Sequence, residues 1–472
     1  MKKIFSFLYI FVFLSGFIDC QHIAISPEID TRNDYTFDLL GKVGDKLLAF
    51  RKKNKKYILN IYDKTLYRVS EKKIYLEKKN THIISTAKAK DNFIVFYTHK
   101  KKNTIYIKAI KFNETGTKLD STMLYAQKNY FSTKPFLSIK SKDKNIVLIY
   151  KIIDNNEIEF IEFNIKKFKK TYYKKVKFKD VKLNNNYYRL AVSNEGNIYL
   201  VYEKKPSFFG GISHKIIINS FYPKTKNRKK TSKTLKINTG DIIIKYDNKN
   251  EVLNIAGTVT KSYDSKTLGY YMFRFDKNLL LKNNFQHYFK ENMLNNYYKI
   301  ENNKKKKYIK SLYIKDLELR NDGGVVLIFE VKEIIKRKIN NFDYRQDLYT
   351  GDIDYFFGNI ILISVHENGE EFWEKIIPKN QMSSNDYGIY SSFFIFKTPS
   401  SLKILFNDKI KNRNQVIMYS IRPTGDIKRN SVFTTDMYKL NLSFNKAIQI
   451  SGKRLIVPSY KKEKLKLVLI EI

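Results

Sequence analysis

A repeat of short strands constrains this chain more than any other feature. From about residue 35 onward, runs rich in β-branched and aromatic residues alternate with polar turns. Asn92–Tyr97 is followed by Thr104–Ile110, Asn145–Tyr150 by Ile158–Phe163, and Leu402–Phe406 by Gln415–Ile421. In each pair the first run is almost wholly apolar and the second is more alternating. A run that is apolar on both faces belongs in the middle of a sheet covered on both sides. The turn after the second run often carries glycine, as at Gly116, Gly369 and Gly425, because such turns need positive φ. A further strand follows each time, for instance Glu371–Ile377.

The alternating strand recurs near residues 60, 108, 161, 218, 272, 362, 418 and 468. The spacing is about 50 residues, with one longer step. Four short strands per unit at that period predict a single all-β domain, a β-propeller of four-stranded blades. One blade cannot bury both faces, whereas a ring of blades can. Eight blades fit the count, with seven as the alternative. The last unit supplies only three strands, Lys446–Ile450, Arg454–Ser459 and Leu465–Ile472. The segment His22–Ser26 lies outside the first unit, so it is expected to add the missing outer strand and close the ring.

The division expected is a signal peptide over 1–20 and a propeller over 21–472. Met1-Lys2-Lys3 precedes a run, Ile4–Ile18, that is apolar except for Ser6, Ser15 and Gly16. It is short for a transmembrane helix and reads as an export signal. Cleavage after Cys20 leaves no cysteine in the mature chain. Lipidation of Cys20 is the alternative, although Asp19 and Phe17 fit that pattern poorly. The mature protein is therefore expected outside the cytoplasm, secreted, periplasmic or on the cell surface, with no membrane span and as a monomer.

The net charge is +43, from 89 Lys+Arg against 46 Asp+Glu. It invites a nucleic-acid reading, but only 13 of the cations are Arg, the residue that base reading and bidentate phosphate contact favour. The lysine clusters are spread over turns along the whole chain, where a dedicated nucleic-acid element would gather them. A solvated lysine coat is the preferred reading, and nucleic acid is not expected as a partner.

The stretch Gly358–Ile363 followed by Glu367-Asn368-Gly369-Glu370-Glu371-Phe372-Trp373-Glu374-Lys375-Ile376-Ile377-Pro378-Lys379 resembles uncharacterised secreted propeller-like proteins of Bacteroidota. The resemblance implies a propeller in the envelope or outside the cell, and it brings no catalytic residues with it.

Function is expected in the long connections on one face, between second and third strands and between blades. Three stand out: Lys204–His214, Lys332–Phe357 and Phe285–Ile309. The most unusual, Phe342–Phe357, crowds four aspartates and six aromatics into a basic protein. Candidate ligand-binding residues are Tyr344, Arg345, Asp347, Tyr349, Asp352, Asp354 and Tyr355, with Phe208, Phe209 and His214 from the neighbouring insertion. Aromatic faces with carboxylates suit a protein or glycan partner. A Ca²⁺ shared by Asp352 and Asp354 is a minor alternative, and pairing of these aspartates with Lys336, Arg337 or Lys338 is the bland one. The histidines show no paired spacing, and neither a metal, a cofactor nor a catalytic residue is assigned. Trp373 reads as a blade-packing residue. The function expected is a non-enzymatic binding propeller. One alternative is a polysaccharide hydrolase or lyase using Asp347, Asp352 or Asp354; the other is a polyanion-binding surface protein.

Overall fold

In the computed structural model, residues 22–32, 34–54, 56–77, 81–128, 134–154, 156–178, 183, 188–204, 214–261, 265–337, 352–409 and 415–472 are described. They form eight antiparallel sheets arranged as the blades of one propeller, each built on four strands, which are consecutive in sequence in seven blades and completed by the N-terminal strand in the eighth. The eight alternating strands marked by the sequence are the third strands of the eight blades.

The first strands are the innermost. They are Asp34–Val43, Thr81–Lys88, Leu137–Lys140, Tyr188–Val192, Asn238–Asp247, Leu312–Leu319, Phe394–Lys397 and Ile448–Gln449 for blades 1 to 8, and they line the axis of the ring. Second strands are sandwiched between neighbouring blades, and all nine residues of Val252–Thr260 are buried. The core is correspondingly built between blades. Leu148, Phe160 and Val176 of blade 3 meet Leu200, Tyr202 and Phe221 of blade 4 in one cluster. Outer strands face water on one side and carry much of the lysine. Asn227–Leu235 is mostly exposed and includes Lys229, Lys230 and Lys233. Lysine along an exposed strand edge discourages pairing with other chains.

Ring closure follows the sequence expectation. Ile23–Ile25 is the outer strand of blade 8, with Ile23 opposite Ile470, Ala24 opposite Leu469 and Ile25 opposite Val468. Ile29–Asp30 continues along the same partner strand, and the Ser26 amide donates to the Leu467 carbonyl at 2.9 Å. The predicted turn glycines Gly116, Gly369 and Gly425 all have positive φ.

Two of the expected loops are regular structure instead. The connection between blades 5 and 6 contains a helix, Glu291–Ile300, whose Met293, Leu294, Tyr297 and Tyr298 are buried against Leu312 and Phe329 of blade 6. Their spacing is that of one helical face. In blade 6 the second and third strands, Val325–Lys336 and Ile353–Val365, are unusually long. Lys332 to Lys336 pair with Phe357 to Ile353, so the ends of the expected loop are ladder, and residues 338–351 of it lie outside the described residues. Among the described residues no helix is long and apolar enough to cross a membrane, and residues 1–21 lie outside them.

Candidate functional site

Strands of a blade alternate in direction. Turns between second and third strands therefore emerge at one end of the ring, and turns between first and second strands at the other. Blade 6 raises an arm at the first end. Beyond Lys332 its second strand has lost its inner neighbour and pairs only with the third strand. Gln381–Ser384 adds a third member, with Met382 opposite Phe356 and Ser384 opposite Asp354.

The tip of this arm is tied. Asp354 is 5% exposed; it accepts from Arg337 Nη2 at 2.6 Å and from Ser384 Oγ at 2.6 Å. These bonds, the Arg337 ones foremost, pull its carboxyl down to about 2. Asp352 accepts from Asn385 Nδ2 at 2.7 Å, and the Arg337 amide donates to the Asp352 carbonyl at 2.9 Å. The two aspartates thus turn to different partners and do not form a shared cation site. The pairing expected with Arg337 is the one present for Asp354. Tyr355 is buried on the arm, its ring 6.3 Å from that of Tyr387, so it is a packing residue rather than a contact surface. Ile334, Ile335, Met382 and Tyr387 are the arm's exposed apolar side chains, Tyr387 at 87%.

The other expected residues do not join them. His214 is fully buried, its Nδ1 beside Glu203 and 3.1 Å from Thr239 Oγ1, out of reach of a surface ligand. Tyr344, Arg345, Asp347, Tyr349, Phe208 and Phe209 lie outside the described residues. Among the described residues no three His, Cys, Asp or Glu side chains converge as metal ligands. Trp373 packs between blades 6 and 7; its Nε1 donates to the Pro423 carbonyl at 2.9 Å. Gly425 lies so close that a Cβ there would sit 2.7 Å from the indole.

The axis holds a second constellation that sequence reasoning missed. In every blade one residue of the first strand sits one rung before the pair that closes the first turn. In blades 1 to 3 it is lysine: Lys42 opposite Leu47, Lys88 opposite Phe93 and Lys140 opposite Val147. In blades 4 to 6 it is Val192, Tyr246 and Leu319. In blades 7 and 8 it is Lys397 and Gln449. In blades 2, 5, 7 and 8 this side chain leans on the preceding blade, whereas Lys42 lies 4.0 Å from Asp45 of its own turn. Lys88 Nζ donates to the Lys42 carbonyl at 3.4 Å, and Tyr246 stacks on Tyr199 at 4.8 Å. Lys397 Nζ lies 2.6 Å from Glu318 Oε1, and Gln449 Nε2 donates to the Lys397 carbonyl at 2.7 Å.

On the side of blades 4 to 7 the axial charges are matched. Arg189 meets Asp241 at 2.9 Å. Lys245 lies 3.1 Å from Asp316 and 3.2 Å from Glu318. Burial works to lower the pKa of Lys245, but Glu318 and Asp316 outweigh it and leave it raised. The repeat itself was the signal for this arrangement, since a lysine at one fixed distance before successive first turns is legible once the first strands are aligned.

No family model and no curated protein matches the sequence. Solved structures do. Sqt1 of Saccharomyces cerevisiae is 8% identical with a TM-score of 0.45, over 93% of this chain and 97% of that one. The β-propeller domain of the Trilobed protease from Pyrococcus furiosus is 11% identical with a TM-score of 0.39, over 85% and 98%. BamB from Moraxella catarrhalis is 9% identical with a TM-score of 0.37, over 96% and 100%. At these identities none of the three bears on what this chain binds or does.

Proposed function

We propose that the protein is a non-enzymatic binding propeller of the cell envelope or exterior, exported by residues 1–20, which holds a protein or glycan at the blade-6 arm. The observation that carries this reading is the tied tip. Arg337, Asp354, Ser384, Asp352 and Asn385 lock both roots of the segment 338–351 onto three paired strands. A binding segment mounted on a rigid base loses less freedom on capture than one on a mobile stalk. That segment carries the aromatic and acidic residues Tyr344, Arg345, Asp347 and Tyr349. The exposed Ile334, Ile335, Met382 and Tyr387 on the arm add apolar area beside it.

The hydrolase reading is weaker. A general acid needs a carboxyl that keeps its proton near neutral pH, whereas Arg337 drives Asp354 the other way.

The test replaces residues 338–351 with a short Gly-Ser turn between Arg337 and Asp352, leaving the tied base intact. Wild type and variant are screened on a glycan array and by pull-down from envelope extract. The expected result is a saturable partner of the wild type that the variant loses at unchanged thermal stability. Equal capture by the variant overturns the assignment to this arm.

A further inference from the structure

The axis of the ring is electrostatically lopsided. Opposite the matched charges of blades 4 to 7, a cavity of about 170 Å³ opens among Asp38, Thr86, Lys88, Lys140, Lys144 and Gln449. Among the described residues no ion pair within 4 Å ties Lys88, Lys140 or Lys144 to a carboxylate, and the Asp38 charge is the one that acts on Lys140. The cavity's one carboxylate, Asp38, already accepts a hydrogen bond from the Thr86 hydroxyl. Burial lowers the pKa of Lys88, and Lys144 and Lys140 lower it further. Burial likewise lowers Lys140, with Asp38 opposing and Lys144 adding to the effect.

Register imposes this crowding. Lys88 and Lys140 occupy one ladder rung in adjacent blades, and Lys42 holds the same rung in blade 1. Lys88 is half-buried while Lys140 and Lys144 reach solvent, and an anion seated among the three would offset the mutual repulsion of their ammonium groups.

We propose that this cavity binds a tetrahedral oxyanion, with a phosphate group as the chemical class, held by Lys88, Lys140 and Lys144. Each ammonium offers three donors and acts as a point charge toward phosphate oxygens. At a liquid share of about 30 Å³ per water, the cavity holds roughly five or six waters. A tetrahedral oxyanion, whose five bonded heavy atoms are more compact than as many waters, enters that space with room for several waters beside it. Lys88 also lines a wider opening of about 820 Å³, where Lys42 and Lys90 stand beside Asp45, Asp91 and Glu114. Of the three lysines only Lys88 is shared with that opening, and its carboxylates set it apart from the all-lysine side of the smaller cavity. The site lies at the other end of the ring from the blade-6 arm, and its existence does not depend on what the arm binds.

The test is calorimetric titration of the full chain with inorganic phosphate and, separately, with glycerol phosphate, at fixed chloride near physiological ionic strength. Variants are Lys88→Gln, Lys140→Gln and the double substitution, with Lys229→Gln on an outer strand as the control for bulk charge. Trp373 emission checks the fold of each. The expected result is one saturable site, weakened about tenfold or more by either single substitution, the size of a lost charge-assisted contact. Binding is lost in the double variant and kept in Lys229→Gln. Tighter binding of the ester marks the anion as the end of a larger ligand; tighter binding of inorganic phosphate marks a free ion. Absence of saturable binding by either probe, or wild-type affinity in a folded double variant, overturns the proposal.

Discussion

Lys379 and Glu330 offer a sharp test of how the blades are clamped together. Their side chains are 0% and 4% exposed, and Lys379 Nζ lies 3.0 Å from Glu330 Oε1. Lys379 Nζ also donates to the Phe357 carbonyl at 3.0 Å and to Gln381 Oε1 at 3.3 Å. Glu330 accepts from Ser392 Oγ at 2.8 Å, and Gln381 Nε2 donates to the Asn407 carbonyl at 2.6 Å. Blade 6 is thereby joined to blade 7 through a buried polar contact. Burial lowers the pKa of Lys379 while Glu330 opposes that shift. Lys379→Met leaves the buried Glu330 carboxylate with Ser392 and the more distant Lys315, 4.0 Å away, and removing one partner of such a pair costs about 3–5 kcal/mol. Replacing both by apolar residues is often close to neutral. Here the orphaned Phe357 carbonyl leaves a residual cost of about 1–3 kcal/mol. Unfolding entropy of about 2.1 cal/mol/K per residue over 472 residues comes to roughly 1 kcal/mol/K. Lys379→Met is thus expected to lower Tm by about 3–5 °C, and Glu330→Met by a similar amount. The double variant is expected to fall by only about 1–3 °C. Scanning calorimetry of the four proteins gives the coupling directly. A single substitution that costs under about 1 °C, or a double variant whose loss equals the sum of the singles, refutes the reasoning.

Two further outcomes are expected. Gly425→Ala forces a Cβ to within 2.7 Å of the Trp373 ring at φ +91°, a strain of about 1–3 kcal/mol. Because Trp373 is the only tryptophan, its emission is expected to shift together with a lowered Tm, and an unchanged spectrum and Tm would disprove the packing role. Asp354 has a depressed folded pKa, about 2 against an ordinary 3.8, so its contribution is present above pH 4 and is lost as pH falls toward 2. Pepsin cleavage within the arm is expected to rise across that window in the wild type and to be raised throughout in Asp354→Ala; equal profiles for the two proteins would remove the tie from the account.

The architecture was readable from local pattern because each blade is a local object. In all but the last its four strands are consecutive in sequence, and its third strand sits between neighbours that bury it. Residues 92–97 and 104–110, or 402–406 and 415–421, therefore carry the same signature wherever they occur. The missing outer strand of the last blade followed from counting, since an unpaired edge in a ring demands a partner and His22–Ser26 was the spare segment. The helix Glu291–Ile300 was hidden by its polar composition, although Met293, Leu294, Tyr297 and Tyr298 had the right period. The long blade-6 strands were hidden because aspartates and aromatics in Phe342–Phe357 read as loop, while the ladder from Lys332 to Lys336 is set by the partner strand.

The site depended on what blades do to one another. Composition alone determined a basic, strand-rich chain, and the period of about 50 residues determined that it closes into a ring. Whether a given charge is free or matched was decided only by the tertiary structure. Lys397 and Lys140 occupy the same rung and look alike in sequence, yet Lys397 meets Glu318 across a blade boundary while Lys140 faces Lys144 and Lys88. Asp354, an apparent ligand-binding carboxylate, is bound to Arg337 and Ser384 because strands far apart in sequence end together at the arm's tip. Periodicity is a property of the chain and is present before it folds. Charge pairing is a property of distance between blades, and distance exists only once the ring is built.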